Sequence, residues 1–456
     1  MIDFFEIVKR SLNGPYYTEK DFDLKVMVPK LRDVLKKYDI VSYVPGEAVV
    51  PNDDELADRV FEAALELCAG TGCYCTDTSR VIEFSEEEIG EALRDAPTDP
   101  VFGEGADRKA MVAREPESEV PPWCFVGAGG ATCSNEDVYV RMVEGYGRNP
   151  LADSITCPNL ATINGMRTQA GSPLELLACI RSVELGRAAL RRAQRPGLPI
   201  MNSISTAVTD AGKITGSEFG LRDSDCWVVG FAAEFKVSFE RMNEVAYILA
   251  RGGKVMGESG PILGGYAGGP NGVAVVSTAY HIFSILVMRA SCHLTFPMDM
   301  RGWTTSRPLL WSQSLSTQAI NRNSHMPHLW YTYCAAGPMT EMNFREIGVG
   351  NLIGVVSGGN IEFGGVGAAK NIDYLTPMQP RFATEVAHAA AGVSREEANG
   401  IAEQLLGQYE DQLAEAPKGT KFQECYDWGS IEPHPEYVEL YAKMKDELAG
   451  YGLKFK

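Results

Sequence analysis

Two hydrophobic periodicities divide this chain. Up to about residue 94 the apolar positions recur at helical spacing, and helices are expected over 19–38 (with Pro29 interrupting), 53–70 and 86–94. The last opens on Ser85-Glu86-Glu87-Glu88, a hydroxyl followed by carboxylates, which is the signature of a capped helix start. Residues 96–123, rich in Pro, Glu and Asp, read as a connection. From about 124 short apolar runs alternate with helical stretches. The runs are Cys124–Gly129, Ser154–Pro158, Pro199–Ile204, Ala232–Val237, Lys254–Glu258, Leu294–Met298, Trp330–Cys334 and Ile361–Gly364. Helices are expected between them at Leu174–Ala193, Phe239–Arg251, Val273–Ser291, Leu309–Asn321 and Met339–Leu352.

Eight βα-like units in ~250 residues is the count of an α/β TIM (β/α)8 barrel. A doubly wound sheet also alternates in this way, but neither a G-x-G-x-x-G nor a G-x-x-x-x-G-K-[ST] fingerprint is present. The expected organisation is a helical N-terminal extension over 1–115, a barrel over 124–375, and C-terminal helices over 378–456 that pack on it. A barrel of this kind carries its chemistry at the C-terminal ends of several strands. On this count Asn202 or its neighbours, Glu258, and the aromatics before Cys334 fall there.

Glu258 is the most informative of these. It ends an apolar run and enters Gly257-Glu258-Ser259-Gly260-Pro261-Ile262-Leu263-Gly264-Gly265-Tyr266-Ala267-Gly268-Gly269, where one carboxylate stands among six glycines. Glycine allows strained turns and the close approach of a large flat ligand. A buried carboxylate must be paired or used, because an isolated buried charge is too costly. A helix cap in a Gly-rich turn is the plainer reading of the same pattern.

Bulk properties narrow the classes. A chain of 456 residues with 45% hydrophobic and 22% charged residues suits a globular protein with a sizeable core. No apolar run approaches the ~20 residues of a membrane span, and Met1-Ile2-Asp3-Phe4-Phe5-Glu6 lacks the basic start of a signal peptide. A cytoplasmic location is expected. Net charge of −18, from 60 acidic and 42 basic residues, argues against nucleic acid as a partner and suits docking with a basic face. Eleven cysteines without paired spacing are expected as free core thiols, the close pair Cys73 and Cys75 included.

Four stretches carry a resemblance. Gly-Gly-Tyr-Ala-Gly-Gly at 264–269, Cys-Ala-Ala-Gly-Pro-Met-Thr-Glu-Met at 334–342, Tyr-Cys-Thr-Asp-Thr at 74–78 and Phe-Gln-Glu-Cys-Tyr-Asp at 422–427 resemble words of the monomethylamine:corrinoid methyltransferases of methanogens. They lie in the same order at nearly the same spacings, so the resemblance covers essentially the whole chain. It implies a barrel that moves a methyl group from an amine to the cobalt(I) of a corrinoid held by a separate small protein. No corrinoid would be bound permanently, and a homohexamer is implied. Gly264, Gly265 and Gly268 would allow close approach of the partner's corrinoid.

A neutral amine is a very poor leaving group. The family activates it with pyrrolysine, whose imine captures the amine. Aligning Ser205-Thr206 and Ala211-Gly212-Lys213-Ile214-Thr215 places Asn202 there. An Asn amide donates and accepts hydrogen bonds but forms no covalent amine adduct. A second acidic residue of the family site falls at Val228, with only Asp223 and Asp225 nearby, and a site glutamine falls at Tyr331, whereas Glu258 and Tyr333 match.

One physical reading joins these losses: the substrate arrives already activated. A quaternary ammonium releases a neutral amine without an imine, and its methyls suit aromatic faces worth roughly 0.5–2 kcal/mol each. In this reading Glu258 and Asn202 are the catalytic candidates, and Tyr331 and Tyr333 enclose the methyls. Arg301 and Arg307 are candidates to bind a substrate carboxylate such as that of a betaine, or else ion-pair partners in the barrel wall. Tyr331 and Tyr333 share one face of a strand, with Trp330 and Thr332 on the other; such a run also serves simple barrel packing. No metal set is expected: His293 after Cys292, and His325 with His328, supply no three ligands. Two other readings stay open. A zinc-dependent alcohol or thiol methyltransferase would gather Cys, His and Glu ligands from distant strands, and a non-catalytic descendant would bind without turnover.

Overall fold

The structure is a computed structural model describing residues 2–455 except Ala128, Ser203, Ser205 and 367–370, with the side chains of 364–366 also outside the description. Ala128 and Ser203 fall within two of the expected apolar runs and Ser205 within the aligned Ser205-Thr206, so those three positions lie outside the described residues.

Eight parallel strands form the centre: β1 (Cys124–Gly127), β2 (Ser154–Thr156), β3 (Met201–Asn202), β4 (Cys226–Gly230), β5 (Val255–Ser259), β6 (Cys292–Thr295), β7 (His328–Cys334) and β8 (Asn360–Val366). Each pairs with the next in chain order, and β8 pairs with β1. A parallel bridge between Ile155 and Ile200 joins β2 to β3 and closes the ring. Helices α1 (Glu136–Gly147), α2 (Pro173–Arg192), α3 (Asp210–Glu218), α4 (Phe239–Ala250), α5 (Pro270–Leu286), α6 (Arg307–Asn323), α7 (Glu341–Val356) and α8 (Met378–Ala390) follow the strands one by one. This is the (β/α)8 barrel expected.

Two boundaries differ from expectation. The fourth strand is Cys226–Gly230 rather than 232–237, because Lys236 and Val237 pair instead with Tyr74 and Cys75 of the N-terminal region. Helix α8 contacts β1 and β8 and completes the eighth unit, so the barrel continues past residue 375. The N-terminal region holds its expected helices, now seen as Asp54–Thr71 and Glu86–Arg94 with both capping-box bonds made at Ser85. The 19–38 stretch takes a wider π-helical turn at Phe22–Met27, ahead of Pro29; proline has no N–H for the usual bond and crowds the preceding turn. The helix Asp54–Thr71 packs against α5 and α6.

Strand alternation divides the core in two. Facing inward are Phe125, Met201, Cys226, Val228, Met256, Cys292, Leu294, Leu329 and Tyr331, with Phe102, Met111 and Trp123 in the same cluster. Facing outward, residues such as Trp227, Trp330, Ile361 and Phe363 join the larger core between strands and helices. Trp330 and Thr332 point outward as expected, the indole N–H donating to Thr332 Oγ1 at 3.1 Å. All eleven cysteines are free and buried.

Candidate active site

At the C-terminal end of the barrel the inward positions change from aliphatic to charged and aromatic. Tyr331 and Tyr333 lie two apart on β7, and their rings stack with centroids 5.7 Å apart and planes 18° apart. Phe296, just beyond β6, adds a third ring at 5.3 Å from Tyr331. The backbone of Tyr333 is pinned to the loop after β6: its N–H donates to Thr304 Oγ1 at 2.9 Å, and Thr304 N–H donates back to its carbonyl at 2.9 Å. Gly260 is required beside Phe296, since a Cβ there would lie 2.4 Å from the ring.

Two carboxylates face this aromatic wall. Glu258, paired in register with Gly230 and Leu294, has no hydrogen bond among the described residues. Its depth in the barrel raises its pKa, while the Lys213 and Arg241 charges act in the opposite sense. Glu362 on β8 sits directly across from Tyr331 in the ladder. It is 5% exposed, its Oε2 has no partner, and burial followed by the Glu258 charge holds its pKa well above the usual carboxylate range. Burial likewise raises Tyr331, with Tyr333, Glu362 and Glu258 adding to the effect. The arrangement is an aromatic pocket with two electrostatically linked carboxylates, neither of them in an ion pair among the described residues. A desolvated carboxylate without a counter-charge is costly unless a cation arrives or a proton stays.

Sequence reasoning brought Glu258, Tyr331 and Tyr333 to this site and missed Glu362 and Phe296. Both missing residues sit at alternate positions in short apolar runs, so strand parity was the available signal. Val228 also faces inward, as part of the apolar lining. The acids nearest it are both committed elsewhere: Asp225 pairs with Arg187 and accepts from Ile200 N–H at 2.8 Å, and Asp223 pairs with Arg251 at 3.3 Å.

Two candidates are placed elsewhere, and a third stays at the mouth. Asn202 follows inward-facing Met201 and pairs with outward-facing Trp227, so it lies between the strands and helices. Its Oδ1 accepts from Ile204 N–H at 2.9 Å, and it lines a narrow cleft with Lys213, Glu244 and Tyr247. The expectation that Asn202 lines the substrate space is thereby corrected, because strand alternation turns it away from Glu258. Arg307 takes the second of its two expected roles, that of an ion-pair partner: it ties the start of α6 to Glu403 at 2.6 Å and Glu410 at 2.5 Å, which occupy its donors. Arg301 stays at the mouth, in the loop between β6 and α6, but pairs with Asp299 at 2.9 Å and lies over the Trp303 ring at 4.2 Å.

The glycine turn is an exposed knuckle between β5 and α5. Gly264 and Gly268 have φ of +83° and +72°, and a Cβ on either would meet nothing within 4 Å. Backbone conformation rather than crowding requires glycine here, and the surface above the turn is open.

Residues 2–453 match the family model described as monomethylamine methyltransferase MtmB. Monomethylamine methyltransferase MtmB2 of Methanosarcina barkeri is 31% identical, over 99% of this chain and 98% of its own length. MtmB of Methanosarcina mazei is 31% identical over the same shares. The crystal structure of Methanosarcina barkeri MtmB superposes with a TM-score of 0.94 at 30% identity, covering 99% of each chain, and a crystal structure of a hydroxylamine MtmB complex does so equally. The chain belongs to the MtmB family of monomethylamine methyltransferases.

Proposed function

With that membership as premise, we propose that this chain transfers a methyl group from a quaternary methylated ammonium compound to the corrinoid of a small partner protein docked over the barrel mouth. The observation that carries the proposal is the pairing of Glu258 and Glu362 with the rings of Phe296, Tyr331 and Tyr333. A permanent cation satisfies what that pocket lacks: it offsets two carboxylates, and its methyls lie on aromatic faces at roughly 0.5–2 kcal/mol per face. Val228 and Tyr331 support the reading, since each presents apolar or aromatic surface where N–H groups would want acceptors.

The partner's cobalt(I) supplies the nucleophile when it is present. The residues of this chain hold the ammonium with one methyl toward the mouth, exclude water behind it, and favour its charge before transfer. The C–N electron pair stays on nitrogen as the methyl passes to cobalt, so the amine departs neutral without a proton. Its attraction to Glu258 and Glu362 then falls, which aids release.

A ring of exposed apolar tips supports docking at this end. Met166, Val208, Tyr266, Met300 and Ile372 are each at least 43% exposed, and each stands in a different loop that follows a barrel strand. Exposed apolar residues gathered around one opening mark an interaction surface. The open turn at Gly264, Gly265 and Gly268 lies in this ring and leaves room for a flat macrocycle. Homohexameric assembly belongs to the same proposal, with the mouths left free.

The test follows the cobalt(I) absorbance of a cognate corrinoid protein with primary to quaternary methylamines, betaines and methyl ethers. Loss of the band with quaternary compounds alone is the expected result. Methylation from monomethylamine would overturn the proposal, because no described residue of this site forms the covalent amine adduct that would make a neutral amine a good leaving group.

A further inference from the structure

Behind the candidate site, on the outer face of the same strands, three histidines meet. His293 on β6 and His328 on β7 are register partners, and His281 reaches them from α5. All three are fully buried, with ring centroids 5.4 to 5.9 Å apart. One ring nitrogen of each lies within 4.8 Å of the other two.

Nε2 of each ring faces a hydroxyl, and that of His328 has a second, Thr317 Oγ1, at 3.5 Å. Nε2 of His293 meets Ser259 Oγ at 3.1 Å, Nε2 of His281 meets Ser324 Oγ at 2.8 Å, and Nε2 of His328 meets Thr295 Oγ1 at 3.2 Å. Nδ1 of each ring is buried with no partner. The hydroxyls of Ser277 and Ser284, which share a face of α5 with His281, are also buried without partners.

A neutral imidazole carries one N–H. All three rings are fully buried, and burial favours the neutral imidazole. With Nε2–H donated to a hydroxyl, each Nδ1 is left as a bare lone pair. A single buried water has two hydrogens and cannot serve three such lone pairs as a donor. A cation can serve all of them. Imidazole nitrogen is a preferred ligand of zinc, and the nitrogens of a tetrahedral zinc site lie about 3.4 Å apart, within reach of a small inward shift of each ring. Hydroxyl acceptors on the far nitrogens are the outer contacts that fix ligating histidines in one tautomer.

We propose that His281, His293 and His328 form a structural site for a zinc-type divalent ion, bound through their Nδ1 atoms. The fourth position falls to Ser284 or a trapped hydroxide. The ion joins α5, on which the helix Asp54–Thr71 packs, to the strands that lead to Phe296 and Tyr331. It lies across the barrel wall from Glu258 and is not the catalytic zinc of the alternative reading. A site this buried is filled during folding, so metal and stability are linked.

The protein expressed with added zinc should retain about one ion per chain through dialysis against a chelator. Wild type unfolded, freed of metal and refolded with cobalt(II) should show the intense visible bands of a tetrahedral centre. Refolding without metal should lower Tm, and zinc present during refolding should restore it. His281→Gln should lose the cobalt bands and the retained zinc; if that variant does not fold, the wild-type cobalt spectrum alone decides. The proposal is overturned by a protein isolated without metal whose refolded Tm ignores zinc, by the absence of tetrahedral cobalt bands, or by bands that persist in His281→Gln.

Discussion

The inner and outer faces of β5 to β7 carry two chemistries back to back. Inward, Glu258, Phe296, Tyr331 and Tyr333 line the mouth with Glu362; outward, Ser259, His293, Thr295 and His328 form a sealed polar cluster. Strand alternation alone sorts them, since neighbouring residues point to opposite sides. The difference lies in access. Glu258 keeps contact with solvent at the mouth, so its charge can be met by a cation that comes and goes. The histidines have no such access, and whatever satisfies their Nδ1 atoms must be permanent. On the two proposals, one wall carries a transient electrostatic site on one side and a fixed one on the other.

The largest effect that separates the faces is expected from Glu258→Gln. It keeps the side-chain volume but removes the charge opposite the ammonium, and kcat/KM should fall by ~10²–10³ with Tm nearly unchanged. An equal fall in Tm would mean that Glu258 is a structural group and that the inner face is not the working one. Next come Tyr331→Leu and Tyr333→Leu. Each removes one aromatic face and should raise KM for a quaternary substrate by roughly two- to thirty-fold, with a smaller change in kcat. Tyr331→Phe keeps the ring and should stay near wild type. A large loss in Tyr331→Phe would point to the phenol as a hydrogen-bonding group instead of a cage wall.

Much of this contrast was legible in the sequence, and where it was not the cause is specific. The eight-unit count and the helix starts at Ser85 and Phe239 followed from periodicity and caps, which are local. The fourth strand was misplaced because Ala232–Val237 is as apolar as a strand, yet Lys236 and Val237 found partners at Tyr74 and Cys75, 162 residues earlier in the chain. Non-local pairing leaves no local mark. Glu258 was visible because glycines isolate it. Glu362 stands in Asn360-Ile361-Glu362-Phe363, where a single acid in an apolar run looks like an exposed position. Only barrel closure, which seals β8 against β1, makes it buried. The histidine cluster draws on two strands and a helix, and spacings of 12 and 35 residues match no ligand motif. Strand parity turns Asn202 away from the inner face, and of the two roles open to Arg307 the ion pair is selected only by Glu403 and Glu410, which lie in the C-terminal region.

A gentler test of the inner face uses pH. The folded-state pKa of Glu362 is raised by burial and by Glu258, so the native state holds its proton more tightly than the unfolded chain does. Stability should therefore fall as pH rises from the unfolded carboxylate value through the raised native one. Glu362→Gln should remove that slope, leaving Tm higher than wild type in neutral to alkaline solution and equal to it in acid. A quaternary ligand should reduce the slope in wild type, because it favours the ionised form, and its affinity should rise with pH over the same range. Thermal melts across pH with and without tetramethylammonium check both statements. A wild-type slope unchanged in Glu362→Gln would assign the titration to another buried acid; Glu234 and Glu346, each raised to about 7, are the ones to examine.

The smallest expected effects come from the two arginines, and they sharpen the boundary of the site. Arg307 joins α6 to Glu403 and Glu410 at partly exposed positions, so Arg307→Ala should cost about 0.5–1 kcal/mol of stability. Its KM should not move, since the ion pairs hold its guanidinium in the wall. Arg301 is exposed at the mouth and paired with Asp299, and Arg301→Ala should leave Tm unchanged. Here the substrate decides. With tetramethylammonium KM should be unaffected, because no carboxylate is present for the guanidinium to meet. With a betaine, a several-fold rise in KM would show that Arg301 leaves Asp299 for the substrate and would extend the inner face to the loop after β6. An unchanged KM for both would confine recognition to the two carboxylates and the three rings.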